Sequence, residues 1–372
     1  MEGAISCYKE ILEGEPGQAR VHYNLGIALS KSGDALSALE SYSRAIELKP
    51  NFAEAYCNRG DILVRLDRLD EAEGSLLSAV DLNPEFALAY SNLAEVLCRR
   101  RDFARALESA EKAVSLDPGL AAARNMRGKV FEALGDHERA EEEFLEAIRL
   151  DPSNEKAHHN LAGRYLEEGL TAEAKKHYER AVEIRENFAE ARAGLGICCL
   201  REGRYDEAVR ELGKSLELGD KSIATRINLS TAFLKKGMVE KAVSEAERAL
   251  ELDPGLVMAR NNLAIAHLLQ GRPGEAELEL RLAFDTDPRN KETLVNLANL
   301  VFSQERNDEA IELFKKALEA DPENAPLHNN IAVAYYRAGE YALALKHARK
   351  AQELGLRLHP DFLKELEKKL KR

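Results

Sequence analysis

Residues 19–52 read ARVHYNLGIALSKSGDALSALESYSRAIELKPNF, and this stretch sets the pattern for the rest of the chain. Apolar residues recur at three- and four-residue spacing on both sides of Gly33, which predicts two helices joined by a turn at that glycine. Pro50 has no amide hydrogen and disfavours helix in the residue before it, so it ends the second helix. One such hairpin cannot bury its apolar faces alone and needs neighbours of the same kind.

The pattern returns every 34 residues. An alanine recurs at this interval through ten full units, from Ala38 to Ala344, and one further step back falls on Ala4. We expect this alanine where two helices cross too closely for a larger side chain. A period held over ten units also argues for one elongated array, although 372 residues alone would suggest two or three globular domains.

The layout of Leu-Gly in the first helix, then Ala, an aromatic residue and Pro in the second, resembles the tetratricopeptide repeat (TPR) family. The resemblance covers residues 19–356, as ten repeats, and implies an all-α, right-handed solenoid (superhelix) of helix-turn-helix repeats. Residues 1–18 match only the second helix of a repeat, and residues 357–372 have the amphipathic pattern of a C-terminal capping helix. The half-repeat is either an improvised cap or the remainder of a longer protein, and we favour the second interpretation.

The net charge and the distribution of basic residues exclude some classes of binding partner. The net charge is −12 and the pI is near 5.4, and lysines and arginines are not interleaved with aromatic residues. Nucleic acids and anionic membranes are bound by clustered basic residues, so neither is an expected partner. A protein or peptide partner remains.

The cysteines and the hydropathy pattern indicate the cellular compartment in which the protein is expected. The five cysteines lie in helical segments without a C-x-x-C pair, and we interpret them as reduced and mostly as small apolar residues that fill space. The chain carries no signal-peptide pattern and no apolar run long enough to cross a bilayer. A cytoplasmic location is the resulting prediction.

In the TPR family the first helices of successive repeats line a concave groove that holds an extended peptide or a helix. Positions 2, 5, 6, 9, 12 and 13 of each repeat share one side of the first helix. Position 6 is asparagine in eight of the ten repeats. An amide side chain both donates and accepts, so this row can bind peptide backbone, or it can simply link neighbouring repeats. The eight candidates are Asn24, Asn58, Asn92, Asn160, Asn228, Asn262, Asn296 and Asn330.

The remaining groove positions divide the array. In repeats two to four they form a mixed charged surface, and from repeat five onward they turn apolar. Exposed apolar patches usually mark partner sites, which predicts that repeats six to ten bind an amphipathic or apolar peptide. The TPR subclass that captures chaperone C-termini has lysine at position 5. This chain has no lysine at that position in any repeat, so chaperone C-termini are not the expected ligands. The apolar candidates are Ile197, Leu200, Leu234, Ile265, Leu268, Phe302 and Tyr336.

Signals for catalysis are weak. The chain has no glycine-rich phosphate loop, nucleophile elbow or H-E-x-x-H motif. His158, His159 and His177 lack a third metal ligand, so we expect no metal, no cofactor and no enzymatic activity. The first hypothesis is a protein-interaction scaffold. Two alternatives stay open: a substrate-recruiting TPR region of a larger enzyme such as a glycosyltransferase, and a scaffold that self-associates through its N-terminal half-repeat.

Overall fold

A computed structural model describes residues 2–370, without the side chain of Pro360. Met1 of the half-repeat and Lys371 and Arg372 of the expected cap lie outside the described residues. All regular secondary structure between residues 2 and 370 is α-helical, and successive helices pack as hairpins. The all-α architecture of consecutive helix hairpins expected from the sequence is confirmed. None of these helices has the length and apolarity that crossing a bilayer requires.

The chain divides into two compact units, residues 1–194 and residues 195–372. Even-numbered helices from α2 to α20 are the first helices of repeats one to ten, and odd-numbered helices from α3 to α21 are the second helices. The helices of the first unit are α1 (Glu2–Gly14), α2 (Ala19–Ser32), α3 (Ala35–Leu48), α4 (Ala53–Arg65), α5 (Leu69–Leu82), α6 (Ala87–Arg99), α7 (Phe103–Leu116), α8 (Ala121–Ala133), α9 (His137–Leu150), α10 (Glu155–Glu167) and α11 (Thr171–Ile184).

The unit boundary falls within α12 (Ala189–Arg201). The helices of the second unit are α13 (Tyr205–Glu217), α14 (Ile223–Lys235), α15 (Val239–Leu252), α16 (Val257–Leu269), α17 (Pro273–Thr286), α18 (Lys291–Ser303), α19 (Asn307–Ala320), α20 (Ala325–Arg337), α21 (Tyr341–Glu353) and α22 (Pro360–Leu370).

The recurring alanine lies where the two helices of each hairpin cross. Its side chain is buried in all ten repeats, from Ala38 to Ala344. Ala4 occupies the same register position in α1 and is exposed. In the described residues α1 packs on α2 and belongs to no hairpin of its own, so nothing covers that alanine. Burial of this position therefore comes from the hairpin partner and not from the helix itself.

Glycine at position 8 of the first helix makes room for a large side chain from the second helix. A Cβ atom on Gly60 would lie 2.6 Å from Leu76 Cγ, and one on Gly128 would lie 2.6 Å from Phe144 Cε1. Both distances are shorter than any real carbon contact, so these glycines permit a helix separation that even alanine would disturb.

The turn inside each hairpin has one residue in the left-handed region. Seven of the ten turns use glycine at this place, such as Gly33 with φ 91°. Asp67, Arg101 and Glu305 take its place in the other three turns and adopt φ of 60°, 64° and 64°. The hairpin geometry therefore imposes this conformation even on residues for which it is unfavourable.

The joint after repeat six uses a carboxylate where proline is missing. At the joint after repeat six, Gly219 has φ 95°. The Asp220 carboxylate there accepts hydrogen bonds from the hydroxyls of Ser215, at 2.8 Å, and Thr225, at 2.6 Å. These bonds connect the end of α13 with α14, so the segment is held without the proline that other joints carry.

Helix α22 occupies the place in register of the first helix of an eleventh repeat. Leu366 stands at position 8, where the full repeats have glycine, alanine or serine, and it is fully buried in the core of the last repeats. A leucine fits because no second helix packs over α22 within the described residues. Phe362 and Leu363 pack against the same core, whereas Leu370 is exposed.

The crossing alanine gives a direct test of this packing. Ala140→Leu should lower the free energy of unfolding by about 2–4 kcal/mol, because three extra carbons enter a fully packed crossing. Ala4→Leu is the matched control, since the same register position is exposed there and the change should stay within about 0.5 kcal/mol. Urea unfolding followed by circular dichroism measures both; equal shifts for the two variants would refute the close crossing.

Candidate functional site

The first helices of repeats three to six surround a concavity of about 500 Å³ in the first unit, which we call the unit 1 hollow. Most of its lining comes from positions 2, 5, 6 and 9 of these helices, which the helical spacing had placed on one side. The lining residues are Ser91, Asn92, Glu95, Ala122, Asn125, Met126, Lys129, Asn154, Lys156, His159, Asn160, Arg185, Phe188 and Glu190.

A smaller concavity of about 270 Å³ lies in the second unit, on the first helices of repeats seven to nine. We call it the unit 2 hollow. It brings together four of the residues predicted from the sequence, Asn228, Leu234, Asn262 and Ile265. The other lining residues are Thr231, Lys235, Met258 and Glu292.

The asparagines at position 6 donate mainly to the preceding repeat. In the first unit, Asn58 Nδ2 donates to Tyr23 Oη at 3.2 Å, and Asn160 Nδ2 donates to Asn125 Oδ1 at 2.8 Å. Asn92 Nδ2 lies 3.6 Å from Cys57 Sγ, whose thiol pKa is raised to about 12 by burial. These contacts all join position 6 of one repeat to position 5 of the repeat before it.

In the second unit, Asn262 is the most buried asparagine of this row among the described residues. Asn262 is only 7% exposed, and its Nδ2 donates to the Ile227 carbonyl at 3.2 Å and to Thr231 Oγ1 at 3.0 Å. Asn330 Nδ2 donates to Asn299 Oδ1 at 3.2 Å. Five of the eight asparagines therefore link neighbouring repeats, whereas the buried Nδ2 atom of Asn296 has no hydrogen-bond partner among the described residues. A role of the row in ligand binding stays a prediction.

The predicted apolar residues outside the two hollows differ in their surroundings. Ile197 and Leu200 are half-buried on α12, and Leu268 is 40% exposed near the end of α16. Phe302 packs against the core, and the Arg337 guanidinium lies over its ring at 4.3 Å from the centroid. Part of the predicted apolar stripe is therefore packing between adjacent repeats.

Tyr336 is covered by the terminal helix. Its ring meets the Phe362 ring edge to face, with centroids 5.8 Å apart, and its hydroxyl donates to the Glu365 carboxylate. Asn24, at the other end of the row, is exposed on α2. The binding role that the sequence predicted for Tyr336 and Asn24 has no further support in the structure and stays a prediction.

Two histidine pairs occupy equivalent places in repeats five and ten. The Nδ1 atoms of His158 and His177 are 2.9 Å apart, and so are those of His328 and His347. Two neutral rings share one hydrogen across such a contact, whereas two protonated rings would direct N–H groups at each other. Nowhere in residues 2–370 do three or more His, Cys, Asp or Glu side chains form a group that could hold a metal ion.

Burial favours the neutral form of several of these rings. It lowers the pKa of His158 and His177, and it lowers the pKa of His347 from 6.5 to about 4, with His328 as the next cause. Burial also lowers the pKa of His159 to about 4. These four histidines are therefore structural, neutral groups at physiological pH.

Sequence reasoning missed several residues that the fold brings to these places. Lys156 and Glu190 stand at position 2 of their repeats and line the unit 1 hollow, and Glu292 does the same in unit 2. Position 2 was among the groove positions, so a complete reading of it would have found all three. The His328–His347 pair was also missed, and the 170-residue offset from His158 and His177, five repeats, was the available signal.

Comparison with known protein families gives matches along most of the chain. A family described as "TPR repeat" matches residues 35–67 and 286–339. Families described as "Tetratricopeptide repeat" match residues 57–121, 91–155 and 227–291, and residues 165–226. The chain belongs to the TPR family, and the resemblance deduced from its alanines and glycines is confirmed. Among curated protein sequences, no match is found.

Solved structures show the same fold at low sequence identity. A structure of Pseudomonas aeruginosa PilF matches with a TM-score of 0.50 and 21% identity, over 56% of this chain and 95% of that chain. A chain of the APC/C hetero-tetramer Cut9–Hcn1 matches with a TM-score of 0.53 and 13% identity, over 97% of this chain and 92% of that chain. At these levels of sequence identity, the similarity concerns the fold alone.

The asparagine row can be tested for its linking role. Asn262→Ala removes two hydrogen bonds to repeat seven and should lower the free energy of unfolding by about 1–3 kcal/mol. Asn24→Ala is the matched control at the same register position, where the side chain is exposed and the effect should be near zero. Urea titration with circular dichroism compares them, and an unchanged midpoint for Asn262→Ala would contradict the linking role.

Because the pKa values of the buried histidines are lowered, we expect the free energy of unfolding to fall in mild acid. Their pKa in the folded state lies below the unfolded value of about 6.5, so the unfolded chain binds protons first as the pH falls. The urea midpoint should therefore fall between about pH 6.5 and pH 5, before most carboxylates titrate.

Replacing two of these histidines separates their contribution from other groups. The double variant His159→Gln with His347→Gln should lose much of that pH dependence, whereas His359→Gln, at an exposed position, should keep it. This expectation is tested by urea midpoints measured at several pH values for the wild type, the double variant and His359→Gln. A double variant as acid-sensitive as the wild type would show that these rings are not the cause.

Proposed function

We propose that this chain is a protein-interaction scaffold that binds peptide segments of a partner along the first helices of its repeats, without catalysing a reaction. Membership of the TPR family and the solenoid fold support the scaffold role. The observation that carries the groove-binding role is the convergence of positions 2, 6 and 9 of consecutive repeats on one concavity in each unit. A cytoplasmic setting stays a prediction from the sequence.

The unit 2 hollow is suited to apolar side chains. Met258 is 52% exposed at its edge, and Leu234 and Ile265 are half-buried on the same wall. The Asn262 amide N–H groups are already used within the protein, so hydrophobic contact must supply most of the binding there. Covering such side chains yields roughly 25 cal/mol per Å² of apolar surface removed from water.

The unit 1 hollow is suited to polar backbone and charged side chains. Asn125 accepts from Asn160, which leaves the Asn125 N–H groups and the Asn160 oxygen for a ligand. Asn92 uses one N–H on a weak sulfur acceptor and keeps its oxygen. An extended peptide needs donors and acceptors of this kind at regular spacing, because its own backbone carries both.

The groove-binding role is tested with a phage-displayed random peptide library selected on the wild-type protein. The double variant Leu234→Asp with Leu268→Asp places charges beside the unit 2 hollow and should weaken the apolar peptides so selected by roughly tenfold or more. The matched control is Leu252→Asp with Leu278→Asp, at exposed leucines of second helices, which should bind as the wild type does.

Fluorescence polarisation measures the affinities, and circular dichroism checks that each variant keeps its helix content. A double variant that is folded and binds every selected peptide with wild-type affinity would disprove binding at the unit 2 hollow. If the wild type selects no peptide at all, the groove-binding proposal fails as a whole.

A further inference from the structure

Charged side chains follow a definite order along the inner wall of the first unit. They stand at positions 2 and 9 of successive first helices, where the side chains share one face. We call Asp61, Glu95, Lys129, Lys156 and Glu190 the inner-wall charges. From repeat two to repeat six their signs run negative, negative, positive, positive, negative, and all but Asp61 line the unit 1 hollow.

The inner-wall charges form no close ion pairs within the part of the chain that the structure describes. Among residues 2–370, none of the five has an oppositely charged group within 4.0 Å, although ion pairs are common elsewhere on the chain. At position 13, by contrast, Arg99 pairs with Asp67 at 2.7 Å. Arg99 is therefore satisfied by the preceding repeat, whereas Glu95, Lys129, Lys156 and Glu190 present their charges to the hollow.

Charged groups of distant repeats act on Asp61 at one end of this wall. Partial desolvation raises the pKa of Asp61, while Arg65 and Lys156 act in the opposite direction. Lys156 stands three repeats further along the chain than Asp61, so side chains of distant repeats share one electrostatic environment here. A ligand that supplies the opposite charges in the matching order is attracted to such a wall.

Two further polar atoms at the unit 1 hollow are unsatisfied. The buried Nδ1 atom of His159 and the buried Nε atom of Arg185 have no hydrogen-bond partner. Both residues line the hollow, and the Arg185 guanidinium lies 3.6 Å from the centroid of the Phe188 ring. A site with unpaired polar groups of this kind is better satisfied with a ligand present than without one.

We infer that the unit 1 hollow selects a peptide by charge order: an acidic centre that contacts Lys129 and Lys156, with basic residues on both sides that contact Glu95 and Glu190. The inference rests on the proposed peptide-binding function and adds the chemistry of the ligand. In the proposed function the asparagines bind peptide backbone whatever its sequence, so the lysines and glutamates must supply the discrimination. The net charge of the peptide contributes little to this selection, because its acidic and basic residues nearly cancel.

The experiment uses two labelled peptides of about a dozen residues and identical composition. One has lysines at both ends and glutamates at the centre, and the other has the reverse order. Wild-type protein should prefer the first peptide by roughly tenfold at low ionic strength, and the preference should shrink in high salt, because exposed ion pairs are screened. Fluorescence polarisation measures both affinities.

A charge-order variant provides the decisive comparison. Glu95→Lys, Lys129→Glu, Lys156→Glu and Glu190→Lys together reverse the order and leave the net charge unchanged. This variant should prefer the second peptide. The matched control, Lys112→Glu with Lys176→Glu, alters exposed lysines on second helices and should keep the wild-type preference.

Three results would overturn the inference: a wild type that binds neither peptide, one that binds both equally, and a charge-order variant that keeps the wild-type preference. Sedimentation velocity tests a different occupant, since a wild-type dimer that dissociates in the charge-order variant would assign the hollow to a second copy of the chain. Library peptides that bind the wild type without regard to charge order would leave the proposed function intact while refuting this inference.

Discussion

The close crossing of the two helices in each hairpin is the constraint on which the other features depend. The crossing alanine is buried in all ten repeats, and glycines such as Gly60 permit a separation that a single Cβ atom would disturb. Helices this close bury most of their shared surface with small side chains, which explains a core with few aromatic residues and no tryptophan. The same crossing fixes the orientation of each first helix, so its exposed side always carries the same register positions.

That regularity allows one register position to serve different purposes in different repeats. The asparagine at position 6 is exposed in Asn24, bonded to the preceding repeat in Asn160, and buried with two hydrogen bonds in Asn262. A residue type that recurs in a repeat protein is therefore not by itself a sign of ligand binding. What distinguishes the two hollows is the part of the wall that neighbouring repeats leave unsatisfied.

Much of the fold was predictable because it follows from local spacing. The alanine period placed every hairpin, and the glycine and proline positions indicated where helices end. The three turns without glycine were harder to judge, since Arg101 and Glu305 are residue types that rarely adopt the left-handed region, and only the register that they and Asp67 share with the turn glycines indicated it. The candidate site was predictable only in part: helical spacing identified the correct face, but Tyr336 on that face is covered by α22.

The sequence by itself determined the repeat, its length, the helices within it and the side of each first helix that faces the hollow, because these depend on a 34-residue period and on helical geometry alone. Only the tertiary structure decided which side chains on that face are satisfied. Hydrogen bonds such as that from Asn262 to the Ile227 carbonyl depend on distances between helices that are remote in sequence. So does the absence of close ion pairs at Lys129 and Glu95 within residues 2–370. Such distances are set by how hairpins pack, and no spacing within a single repeat encodes them.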